Sequence, residues 1–179
     1  MHGLKLSILG LGVWMLTGCA TAPKTQQGKA DLEAEAQRTL VRLQLMDESL
    51  KPFLEKSAGY AVFPGVGKGG AIVGGAYGRG VLIEDGKVVG YTDLSQATIG
   101  LQLGGQKFAE VIAFETKREL EQFKRGEFSF TAQASAVALK SGSAATAKYE
   151  WGVAVFVEPL AGLMAEAAIG GQSFTFEPK

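Results

Sequence analysis

The sequence predicts an α+β domain: an antiparallel, glycine-rich sheet or partial barrel with an N-terminal amphipathic helix and one short additional helix. Three observations carry this. Between Asp31 and Lys51 apolar residues recur at three- and four-residue steps, the spacing of one helix face. After Gly59 the period becomes twofold, the alternation of strands buried on one side. Many of the 25 glycines crowd between Gly59 and Gly105, where bulges, bends and close strand approach use them.

The chain opens with one charge, Lys5, and an uncharged stretch from Leu6 to Leu16. That is the layout of an export signal, too short to cross a bilayer as a helix. Leu16-Thr17-Gly18-Cys19 resembles the lipobox of bacterial lipoproteins. It implies cleavage between Gly18 and Cys19 and an acyl anchor on the Cys19 sulfur; the alternative is an ordinary signal with a chance cysteine. Residues 1–18 then form the signal, 19–29 a lipidated tether broken by Pro23, and 30–179 one domain. Ala20 after the cysteine favours the outer membrane, facing the periplasm.

Composition excludes several function classes. Basic and acidic side chains number 18 each, so no basic excess points to nucleic acid. Cys19 is the only cysteine, and the only histidine, His2, leaves with the signal. A mature chain whose one cysteine is acylated and which has no histidine is expected to lack thiol and Ser-His-Asp catalysis and any histidine-ligated metal. No cofactor is expected.

Within the domain, Leu32, Ala36, Leu40, Leu43, Met46 and Leu50 mark the apolar face of the first helix. Asp31 suits its start, and Pro52 interrupts it or begins another turn. Val81-Leu82-Ile83 and Val88-Val89 flank Glu84-Asp85-Gly86-Lys87, a hairpin whose Asp-Gly accepts a type I′ turn. Strands follow at Gln96–Gln106 and Lys107–Phe114. A short helix spans Thr116 to Lys124, with Thr116 as cap and Glu119 as its capping-box partner. Phe128 to Ala136 alternates as another strand, and Ser141 to Thr146 reads as a small-residue loop. Strands are expected at Tyr149–Val157, Leu163–Ile169 and Ser173–Phe176.

Two glycine motifs mislead. Gly65, Gly67 and Gly70 satisfy G-x-G-x-x-G, but Ala71-Ile72-Val73-Gly74-Gly75 cannot supply the helix a dinucleotide site needs. Gly70, Gly74 and Gly78 recur every fourth residue, yet Lys68 and Arg79 leave no uncharged membrane span around them.

Gly59-Tyr60-Ala61-Val62-Phe63-Pro64, Lys68-Gly69-Gly70 and Gly74-Gly75-Ala76-Tyr77-Gly78-Arg79-Gly80 together resemble the SYLF-domain family. Later blocks agree: Gly100 to Gln106, Phe114-Glu115-Thr116, Gly162 to Ala167 and Ile169-Gly170-Gly171. The likeness spans about Leu32 to Phe176. It implies non-catalytic binding of phospholipid or phosphoinositide-like head groups; actin binding, known in some yeast members, does not suit a bacterial envelope.

The candidate lipid contacts are Lys68, Tyr77, Arg79 and Trp151. Lys68 and Arg79 flank the glycine-rich strands, where cations and backbone N–H groups could hold a phosphate. Trp151 and Tyr149 suit the depth of a membrane interface. The other reading is a structural lipoprotein that tethers an envelope protein through a sheet edge or apolar patch. Asp93, Glu110, Glu150, Glu158 and Glu166 remain for acid–base work, but no spacing selects a pair.

Overall fold

The computed structural model describes residues 23–70, 73–99, 105–129, 136–161 and 171–179. The signal, Cys19, the strand expected at Leu163–Ile169, and residues 100–104 and 130–135 of two other expected strands lie outside the described residues. The elements run α1 (Gln26–Met46), α2 (Leu50–Glu55), β1 (Gly59–Gly70), β2 (Val73–Glu84), β3 (Lys87–Ile99), β4 (Gln106–Phe114), α3 (Lys117–Lys124), β5 (Val137–Ala138), α4 (Ser143–Thr146), β6 (Val153–Ala161) and β7 (Gln172–Pro178). One open sheet has the order β5-β6-β4-β1-β2-β3-β7, antiparallel except between β5 and β6. The α+β expectation holds, with three short helices after α1 among the described residues where one was expected.

The first helix starts earlier than Asp31. Thr25 caps it, its side chain accepting the Gly28 N–H at 3.1 Å, so the span read as tether already turns into helix. Leu32, Ala36, Leu40 and Leu43 are buried as the period requires, and Met46 is not. The break comes at Asp47, ahead of Pro52, which lies in the first turn of α2. Burial raises the Asp47 carboxyl, but bonds from Ser49, Ala144 and Gly142 outweigh it and hold it below the usual range. Those bonds stitch the α1–α2 elbow to α4, which forms where a loop was expected.

The hairpin turn falls at Asp85 and Gly86, with φ of 48° and 73°. Thr116 caps α3 and its hydroxyl donates to Glu119, a variant of the expected box. The strand expected from Tyr149 instead turns back at Trp151 and Gly152, φ 57° and 81°, where Glu150 and Val153 exchange backbone bonds. β6 begins only after that turn.

Each sheet face covers a core. On the outer face α1 and α2 pack Leu40, Leu43 and Leu50 against Val62, Val81 and Tyr91. On the inner face Phe63, Leu82, Leu94, Ile112 and Phe174 gather with Leu120 and Phe123 of α3. Phe63 and Phe174 lie three strands apart, about 14 Å in a flat sheet, yet their ring centroids are 5.9 Å apart. The sheet therefore curls over its inner face.

Candidate functional site

A bulge in β1 decides which charged residues meet. In an antiparallel pair, Cα partners share a face. Val62 pairs with Val81 on the outer face, the register slips at Pro64, and Gly65 then pairs with Arg79. Proline lacks the N–H a ladder needs, so the slip falls naturally there. Beyond it Lys68 pairs with Ala76, a residue of the inner core. Plain alternation from Val62 would have set Lys68 on the same face as Arg79; the slip turns it to the opposite face. Burial lowers the Lys68 ammonium.

Arg79 and Tyr77 stay together on the outer face, two residues apart along β2 and both exposed. Tyr77 donates to Asp93 on β3 at 3.1 Å, and Thr175 of β7 approaches the other Asp93 oxygen. Trp151 stands elsewhere, 80% exposed in the turn before β6. Val153 pairs with Phe114 and Phe114 with Gly59, six residues of β1 from Gly65, or about 20 Å along the strand. Tyr149, its expected companion, packs on Phe53 at 5.0 Å between ring centroids.

The missed residue is Lys107. It opens β4 on the outer face, opposite Gly67, and its chain crosses above Gly65: a Cβ built there would lie 3.0 Å from Lys107 Cε. The bare glycine thus brings the β4 lysine towards the β2 arginine. Among the described residues neither Arg79 nor Lys107 forms an ion pair. The first turns of α1 form the facing wall. Between them runs a groove of about 350 Å³, lined by Arg79, Lys107 and Gly65 on the sheet and by Gly28, Asp31 and Glu35 on the helix. Cations stand on one wall and carboxylates on the other. The signal for Lys107 was its register opposite the glycines, which sequence spacing across forty residues does not carry.

The carboxylates weighed for acid–base work are dispersed. Asp93 is on the outer face, Glu110 is buried on the inner face against Gln172, and Arg42 grips Glu158 with two nitrogens. Glu150 lies in the turn before β6 and Glu166 outside the described residues. Among the described residues, no helix is long and apolar enough to cross a membrane, and no group of three or more His, Cys, Asp or Glu is placed to hold a metal.

Against known proteins, no protein-family model matches the chain. It is similar to a protein of Aeromonas veronii. That relative is named Beta cell expansion factor A and is 30% identical over 155 residues, 85% of this chain. The aligned part is 59% of the relative, so the chain spans about three fifths of its length.

Proposed function

We propose that the chain is a non-catalytic, SYLF-like binding module of the bacterial envelope that holds a phospholipid head group in the outer-face groove. One observation carries this reading: Arg79 and Lys107, two cations without an ion pair among the described residues, oppose Asp31 and Glu35 across a space of head-group size. Two cations drawn together without a counter-ion favour an anion between them, and Arg79 can grip phosphate oxygens in a fork. The carboxylate wall then suits an ammonium. The ligand with both charges at that spacing is a zwitterionic head group such as phosphoethanolamine. Acylation at Cys19 would keep the domain at the bilayer without any affinity of its own, since acyl chains hold at about 0.8 kcal/mol per buried CH₂.

 The groove's task is therefore recognition, and attachment belongs to the anchor.

A second reading has its own support. Val41, Leu45 and Met46 are exposed on α1 at 47%, 79% and 39%, a surface that an envelope protein partner could cover.

Vesicle flotation of the chain from Thr25 onward, without leader or acyl group, separates the two. The head-group reading predicts co-flotation with phosphatidylethanolamine-containing vesicles, exceeding that with phosphatidylglycerol alone. Failure to float with either composition overturns it, and co-purification of an envelope protein through Leu45 would then support the second reading.

A further inference from the structure

Inside the curl, β4 and β7 meet through one polar pair. Gln172 Nε2 donates to Glu110 Oε2 at 3.1 Å, and both side chains are fully buried. These strands are four places apart in the sheet order, so the contact spans the inner face and not a ladder. The remaining oxygens, Glu110 Oε1 and Gln172 Oε1, have no hydrogen-bond partner. An ionised carboxylate cannot donate, which leaves both oxygens unsatisfied and a charge buried among apolar groups. A protonated carboxyl removes both defects at once. Its O–H can donate to the Gln172 carbonyl while the Gln172 amide donates back, so that acid and amide can close a ring of two hydrogen bonds.

We infer that Glu110 is a neutral acid whose ring with Gln172 latches β7 to β4 across the inner face, closed in mild acid and released as pH rises. Among the described residues no cation pairs with Glu110. Phe63 of β1 and Val157 of β6 flank Glu110 in register, and β2 and β3 turn Ala76 and Leu94 to the same core. Lys68 shares that face, half-buried near the far end of β1, and forms no ion pair with Glu110. The charges of α3 pair with one another, with Glu84 and with Glu127. Glu158 of β6 and Glu177 of β7 turn outward to Arg42 and Lys29.

Burial raises the Glu110 carboxyl to about 7, against a smaller lowering by the Gln172 bond. A raised acid stabilises the closed form fully below its ordinary value of 4.5. That stabilisation is gone once pH has risen through about 7. The opening constant then climbs about tenfold per pH unit between those limits, roughly 300-fold in all. β7 is an edge strand, so its release uncovers the inner face without breaking the pairing of β1, β2 and β4.

Infrared spectra of the full chain test the protonation directly, and amide exchange over Gln172–Pro178, corrected for the intrinsic rate, tests the latch. The wild type is expected to show a protonated-carboxyl band in mild acid that disappears as pH passes neutral, with β7 protection falling up to ~300-fold over the same range. Glu110→Gln should lack the band and hold β7 without pH dependence, since two amides close the same ring. No band in mild acid, or identical exchange profiles in the two proteins, overturns the inference. If Glu110→Gln does not fold, the wild type still decides: a titrating band with unchanged β7 protection overturns the latch, and the two moving together support it.

Discussion

At Gly65 and Gly80 the absence of a side chain does two different things, and alanine substitutions tell them apart. A Cβ at Gly65 would press on the far end of the flexible Lys107 chain, 3.0 Å away. A Cβ at Gly80 would meet the Val62 backbone oxygen at 2.5 Å and the Phe63 ring at 2.7 Å. Gly80→Ala is expected to cost about 1–3 kcal/mol by overpacking, read from the urea midpoint. Gly65→Ala should stay within about 1 kcal/mol of the wild type while displacing Lys107 and weakening vesicle binding. The same residue scale limited what sequence could reveal. Asp85-Gly86 announced a turn because its backbone demand is local, whereas Trp151 adopts positive φ as a residue type that gives no such notice.

Elements were legible where their signals lie within a few residues. Thr116 and Glu119 marked α3 by a capping grammar three positions long, and the apolar stripe of α1 followed its period into the core. Its boundaries were not legible. Thr25 and Asp47 end it through a cap and through a carboxylate whose partners include Gly142 and Ala144, almost a hundred residues on. Leu43→Ala should cost about 2–4 kcal/mol through the cavity under α1. Asp47→Ala should cost about 1–3 kcal/mol by leaving the Ala144 and Ser49 N–H groups without their acceptor. Both are checked by thermal and urea unfolding. The bulge at Pro64 matters most for the groove: one extra residue turns Lys68 away from the face that Arg79 and Lys107 share.

For the whole molecule, alternation predicted the sheet but not its curl, because a twofold period says which side a residue takes and not what lies across from it. Glu110 and Gln172, 62 residues apart, could only be joined by the fold. Their environment also sets the stability profile. Asp47 and Glu33 are held below the usual carboxylate range by bonds that outweigh burial, so their stabilisation is present above their ordinary values and is lost as pH falls. Glu110 is raised to about 7, so its contribution is lost in the other direction, by up to about 3 kcal/mol. The melting temperature should therefore peak in mild acid near pH ~5 rather than at neutrality, and Glu110→Gln should flatten the alkaline side. A scan that peaks at neutral pH in both proteins would contradict this.

The proposed head-group site lies on the outer face between β2, β4 and α1. Its most direct measurement compares the affinity of two variants for phosphatidylethanolamine vesicles: Arg79→Gln with Lys107→Gln, and Lys68→Gln on the opposite face. At least a tenfold loss, about 1.4 kcal/mol, is expected for the first and an unchanged value for the second. Equal losses in both, or none in the first, would contradict it.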